Sequence, residues 1–107
     1  KMIEKSPSKS FLSNDDSIKN LLSEIRIEQK VSPSRKDEEF ESYIKQGIFD
    51  IEEIVGTFIN FDQDLKARAL LKEYVLFSDF KMLKDFKERY ADDYFYLQAK
   101  YSRDTNL

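Results

Sequence analysis

The sequence predicts an all-α fold: a small bundle of about five short helices, preceded by a flexible arm that carries one amphipathic helix. Three observations predict it. Apolar residues recur at i, i+3, i+4 and i+7 in one segment after another, the spacing of a single helical face. Ser, Asp and Asn stand just ahead of those segments, where helix N-caps belong. No run of alternating apolar and polar residues bounded by turn residues competes, although Glu73 to Phe77 is ambiguous between helix and strand.

Ser13-Asn14-Asp15-Asp16 offers N-cap residues and early negative charge, and Ile18, Leu21, Leu22 and Ile25 follow as one stripe. A helix is predicted from Asp15 to Glu28. So short a helix is marginal alone in water. It must dock, either on the chain's own core or, as a helix-in-groove motif, on another protein or a second copy. Ser34 to Asp37 resembles an acidic capping box, with Glu38, Glu39 and Glu41 at the positive end of the dipole and Phe40, Tyr43 and Ile44 facing inward. Gly47 is expected to stop this helix in the left-handed C′ conformation.

Asp50 and Glu53 form a D-x-x-E box, with Phe49 and Ile54 as its hydrophobic staple, and open a helix running to about Asn60 through Ile51, Val55 and Phe58. A further helix follows Asp62, using Leu65, Ala69, Leu70 and Tyr74, widened by Ala67 and Leu71. Ser78 is expected to cap the next, with Phe77 and Met82 as staple and Phe80, Leu83 and Phe86 inward. Asp92 or Asp93 opens the last, with Tyr94, Leu97 and Tyr101 on one side.

Composition divides the 107 residues after Lys36. Residues 1–36 hold both prolines, eight serines and one aromatic residue, with eight basic and five acidic residues, a charge of +3. Residues 37–107 hold the other 14 aromatics, with 10 basic and 16 acidic residues, a charge of −6. A Ser- and Lys-rich stretch poor in rings buries too little apolar surface to offset the entropy of ordering it. Residues 1–36 are therefore expected to be an arm with a helix near 15–28, and 37–107 the folded domain.

Several functional classes lose their usual chemistry. Without His or Cys the chain lacks thiol nucleophiles, imidazole acid–base catalysis and most zinc ligands. Two glycines cannot build a Gly-rich phosphate loop. No apolar run nears the roughly 20 residues of a membrane span, and no signal-peptide core opens the chain. The acids gather at 37–39, 50–53, 62–64 and 92–93, where helix capping accounts for them without catalysis. Asp62-Gln63-Asp64 lacks the glycine turn and distal Glu of a calcium loop. No enzyme, cofactor, metal or small-molecule substrate is expected, and the chain reads as a soluble, non-secreted domain that works by binding.

Fourteen rings, each able to bury roughly 150–250 Å², are more than a single layer of short helices can cover. Phe49, Phe58, Phe61, Phe95 and Tyr96 are therefore expected to mediate self-association. The partner-docking helix is expected to use Ile18, Leu21, Leu22 and Ile25. Lys81, Lys84, Lys87 and Arg89 form a basic strip that could touch nucleic acid, although the −6 charge of the domain disfavours it. Ser6-Pro7-Ser8-Lys9 and Ser32-Pro33-Ser34-Arg35 both fit the S-P-x-K/R pattern of proline-directed cyclin-dependent kinases. Each phosphate adds about −1.5 to −2 charge, so modification of Ser6 and Ser32 is expected to release the basic arm from the acidic domain.

Leu65 to Leu83, read as a helix, a tight turn at Glu73-Tyr74-Val75 and a second helix with Val-x-x-Ser and Phe-x-x-x-Leu spacing, resembles the small C-terminal domain of the large helical-repeat telomeric Rap-interacting factors of fungi. The resemblance spans roughly 48–107, and the upstream serine-proline sites and an ending at Leu107 suit the tail of such a long nuclear protein. It implies an oligomer, in that family a tetramer, that contacts the C-terminal domain of the telomere-repeat binding protein Rap. It further implies a nuclear, chromosomal location and roles in telomere-length control, silencing and replication timing. Relatives carry a glycine in the turn, where this chain has none, which points away from DNA and toward protein binding. Two other readings stand beside it: a monomeric cell-cycle-regulated adaptor whose arm helix docks in a partner's groove, and a small helical DNA-binding domain.

Overall fold

The computed structural model describes residues 11–105, with side chains described through Ser102. It is all-α among those residues: α1 (Asp15–Glu28), α2 (Asp37–Val55), α3 (Leu65–Asp79), α4 (Phe86–Arg89) and α5 (Ala91–Thr105), with 3-10 turns at Phe11–Ser13 and Leu83–Asp85. α2 is the central helix, and α1, α3 and α5 all pack on it.

The boundary expected after Lys36 is not a boundary of this fold. Ile18, Leu21, Leu22 and Ile25 are all buried in the same core as Phe40, Ile44, Leu71 and Leu97. The stripe on α1 was correctly read as a docking face, but its groove lies within the chain, so these four residues are not a free partner helix. Polar bonds fix the register. Asn14 caps α1 by accepting from the Ser17 amide at 3.0 Å, and the Ser17 hydroxyl donates to Asp62. Glu24 pairs with both Arg68 and Lys72 of α3, at 2.9 and 2.8 Å, and Lys72 reaches Glu28 at 3.1 Å. The Lys72 bond, with Arg68 beside it, outweighs the desolvation that would raise the Glu24 carboxyl and holds it below its ordinary range.

α2 corrects the expected stop at Gly47. The helix runs unbroken from Asp37 to Val55 and ends at Gly56, which takes the left-handed conformation (φ 98°) and donates its amide to the Glu52 carbonyl at 2.7 Å. Gly47 instead admits α3 at close range. A Cβ there would stand 2.6 Å from Leu71 Cδ1 and 2.8 Å from Tyr74 Cδ1. The acids expected to start a new helix serve elsewhere: Asp50 accepts the Tyr74 hydroxyl and, at 3.1 Å, the Gln46 amide. The capping box expected at Ser34 is also absent, since Lys36 holds the N-cap without a side-chain bond and Ser34 turns to Ser32.

α3 likewise outruns its expected end. Ser78 does not open a helix; its hydroxyl donates to the Tyr74 carbonyl at 2.9 Å within α3. No turn falls at Glu73-Tyr74-Val75, so the helix–turn–helix expected across 65–83 is one long helix followed by a turn at Phe80–Met82. That turn is a Schellman motif with Lys81 in the left-handed position (φ 60°): Met82 donates to the Phe77 carbonyl at 2.8 Å and Lys81 to Ser78 at 3.1 Å. α1 ends in the same way, with Lys30 at φ 51° and Val31 donating to Arg26 at 3.0 Å. A non-glycine residue in this region costs about 1 kcal/mol or more, and both turns carry that cost.

Asp64 joins two ends of the fold. It caps α3 by accepting from the Ala67 amide at 3.0 Å, and it also accepts from Lys100 at 3.0 Å and from the Tyr101 hydroxyl on α5. Burial would push its carboxyl up, but the bonds from Tyr101, Ala67 and Lys100 prevail and hold it below the ordinary 3.8. The unfolded chain then takes up the proton at higher pH than the native one, so this contribution is present above pH 3.8 and is lost as pH falls through the lowered value. Asp64→Ala is expected to cost about 1–2 kcal/mol at neutral pH. Asp64→Asn, which keeps an acceptor for Ala67, should cost less, and its deficit should shrink on acidification below pH 3.8 in urea titrations.

Candidate functional site

The short segment between α3 and α5 is held by rings. Phe86 is buried against Tyr74, Phe77, Tyr90 and Tyr94 at centroid distances of 5.2, 5.3, 4.6 and 6.2 Å, mostly edge to face. This cluster seats α4 although four residues alone make no stable helix. Tyr94 also faces α2, and burial together with the Asp50 charge pushes its hydroxyl up to about 12. The inward face of α5 is thus Tyr94 and Leu97 with Tyr101 packed beside them, as its spacing predicts.

Fixing that face decides what α5 leaves outside. Phe95 keeps 71% of its surface exposed and Tyr96 48%, the latter beneath the Lys66 ammonium at 4.9 Å from the ring centroid. Phe95 lies at the edge of a groove floored by Ile54, Ala91 and Tyr94, with Lys84, Lys87 and Glu88 on its rim. Gln98 closes the far end by donating to the Ile54 carbonyl at 2.9 Å, which ties α5 to the last turn of α2. The groove is therefore made by four elements, α2, the 3-10 turn at Leu83–Asp85, α4 and α5, that only the folded chain brings together.

The expected site residues separate. Phe49 and Phe58 are exposed, as expected, and line a different groove with Leu12 and Gly56. Phe61 is a correction: it is fully buried, packed edge to face on Phe11 at 5.3 Å, and cannot reach a second copy. The basic strip is also rearranged. Lys81 sits in the turn after α3, Lys84 in the 3-10 turn and only Lys87 and Arg89 on α4, so the four do not share one helix. Lys81, Lys84 and Lys87 form no ion pair among the described residues, whereas Arg89 stacks on Phe77 at 5.8 Å. Ser32 is exposed in the loop between α1 and α2, and Ser6 lies outside the described residues.

Sequence reasoning missed the groove's floor. Ile54 was assigned to a staple, and nothing local signals that the end of α2 meets α5. It also missed Glu52, buried with its carboxylate accepting from the Ile59 amide at 3.1 Å. Burial dominates there and raises its proton affinity above the ordinary 4.5, against that bond. Glu52 supports the loop after Gly56 and reads as a structural acid.

Among the described residues no cluster of His, Cys, Asp or Glu could hold a metal ion, and no helix is long and apolar enough to cross a membrane. Fold and surface together define a small all-α domain presenting an aromatic groove with charged residues on its rim. No family model matches the chain, and neither the curated proteins nor the solved structures contain a match.

Proposed function

We propose that this domain is a non-enzymatic oligomerisation and protein-interaction module, with the outer face of α5 as its contact surface. The observation that carries the reading is Phe95, a ring left 71% exposed beside an apolar groove while the core beneath it is already complete. Apolar patches rimmed by charge are characteristic of protein contact sites. The surroundings favour a second copy of the chain. Lys84 and Lys87 lie on the rim with Glu88, and Asp92 and Asp93 lie in the first turn of α5; these two lysines and two aspartates form no ion pair among the described residues. A two-fold contact would set each copy's Phe95 into the other's groove and its lysines against the other's acids.

The resemblance to the telomeric Rap-interacting factors supplies the finer proposal. In that reading the domain assembles as a tetramer in the nucleus and grips telomere-bound partners, the Rap C-terminal domain among them. Telomere-length control, silencing and replication timing would follow from many weak contacts adding through effective concentration. One observation favours a second reading, nucleic-acid contact: Lys81, Lys84 and Lys87, which form no ion pair among the described residues, stand close together in the chain. Such contact would weaken steeply with salt. The monomeric adaptor reading loses its docking helix, because α1 is covered by its own chain.

Light scattering on the full chain across a concentration series tests the main reading. The expected mass is a multiple of 12.8 kDa, falling to one copy with Phe95→Asp while the circular dichroism and melting temperature stay unchanged. A wild-type chain that remains a single copy at millimolar concentration would sink self-association.

A further inference from the structure

We propose that Ser32 is a modification site for a proline-directed Ser/Thr kinase, and that its phosphate is gripped by Arg26 and Arg35 so as to clamp α1 to α2. This is the opposite of the release expected from net charge alone. The site is built from both helices and the loop between them. Ser32, Pro33 and Ser34 are exposed and Arg35 is half-buried, so the hydroxyl and the proline such a kinase reads are accessible together.

Arg26, in the last turn of α1, already donates from Nη2 to the Ser32 carbonyl at 2.9 Å. Its other terminal nitrogen, Nη1, lies 3.2 Å from the Asp37 carboxylate of α2 but makes no aligned hydrogen bond, although it is buried. That leaves an under-used donor beside the loop. Arg35 also bonds Ser32, through its backbone amide to the Ser32 carbonyl at 3.0 Å. Both guanidiniums lie over the same Phe40 ring, at 4.7 Å for Arg35 and 5.8 Å for Arg26, so one aromatic base carries both. Arg35 is shared with Asp79 at 2.6 Å and Glu39 at 3.1 Å, which position its guanidinium, as Asp37 at 3.2 Å does for Arg26. Lys36 lines the adjoining pocket with Arg26 and Arg35, beside the acids Asp37 and Glu38.

The chemistry balances with ATP as the donor. The Ser32 Oγ–phosphorus bond forms as the bond from the γ-phosphorus to the bridging oxygen breaks; ADP leaves, and the hydroxyl proton passes to the kinase's catalytic base. The product carries about −1.5 to −2 charge and three strong acceptor oxygens. Planar guanidiniums take such oxygens in two-pronged, charge-assisted bonds. A phosphate on this loop therefore adds bonds to Arg26, which belongs to α1, and to Arg35, which leads into α2. The current links, Ser32 Oγ to Ser34 Oγ at 3.0 Å and Ser34 amide to Ser32 Oγ at 3.2 Å, stay within the loop and join neither helix.

The experiment uses the full chain bearing Ser6→Ala, treated with a cyclin-dependent kinase and ATP, with the modified residue located by mass spectrometry. The expected result is one phosphate on Ser32, a higher urea midpoint, and about tenfold slower hydrogen exchange across α1, as new charge-assisted bonds would give. In Arg26→Gln the phosphate should still go on but slow exchange by less than twofold. If that variant does not fold, Arg35→Gln serves as the second probe, with the gain expected to be reduced. Failure of the kinase to modify Ser32 overturns the proposal, as does faster or unchanged exchange in α1 after phosphorylation. A gain that persists in full when either arginine is replaced overturns the assigned grip.

Discussion

Phe61→Ala is expected to lower the unfolding free energy by about 3–5 kcal/mol, whereas Phe95→Ala should change it by less than about 0.5 kcal/mol. The two rings look alike in the sequence, each near a helix boundary in an acidic, aromatic stretch. In the fold they are opposites. Phe61 is wholly enclosed and packs on Phe11, and its carbonyl accepts from Arg68 Nη1 at 3.0 Å. Removing the ring leaves a cavity beneath the network in which Arg68 also bonds Glu24 at 3.1 Å and Asp62 at 3.3 Å. α1 and α3 would loosen together. Phe95 touches that core so little that its loss should register in association instead. Urea midpoints at unchanged slope, read beside light scattering, separate the two effects. A Phe61→Ala protein of native stability that fails to self-associate would return Phe61 to the interface.

Gly47→Val should cost about 3 kcal/mol and Gly47→Ala about 1 kcal/mol, also by urea midpoint. Alanine gains roughly 1 kcal/mol of helix propensity over glycine in a helix interior, so any net loss measures the crowding against α3. The nearest atoms belong to Leu71, which is fully buried, and to the Tyr74 ring, held by the Asp50 carboxylate and Phe86. Both are buried, and valine's second methyl adds to the overlap. Gly56 offers the contrast. A Cβ there meets nothing within 4 Å, and its cost comes from the left-handed backbone alone, so Gly56→Ala should lose only about 1 kcal/mol. A stabilised Gly47→Ala protein would mean that Leu71 and Tyr74 can recede.

These two predictions mark where reading the chain succeeded and where it did not. The apolar stripes of α1 and α5 were legible because a 3.6-residue period needs no knowledge of the partner. The cap at Asn14 was legible within Ser13–Asp16 for a similar reason, since it bonds an amide three residues away, whereas the helix expected after Asp62 begins two residues later, with Asp64 as its cap. The ends of α2 and α3 were misread at Gly47 and Ser78, where a local stop or start signal was overridden. α2 continues because Gly47 lets α3 lie close, and α3 continues because Ser78 satisfies its hydroxyl on Tyr74 inside the helix. Propensity is a difference of about 1 kcal/mol, and packing two helices together outweighs it. The site was legible only in outline: exposed rings on α5 were foreseen, but their neighbours Ile54, Lys84 and Lys87 come from other elements.

By itself the sequence determined the helical class, the inward faces of α1 and α5, and the absence of the residues that thiol and imidazole chemistry would require. Only the tertiary structure decided that α1 belongs to the core, that Phe61 is inside and Phe95 outside, and that Ser32 lies beside Arg26. The physical reason is range. Periodicity and capping act within four residues along the chain, whereas burial and charge pairing depend on which segments meet, and here the deciding contacts join residues some 40 positions apart, as with Ser17 and Asp62 or Glu24 and Arg68.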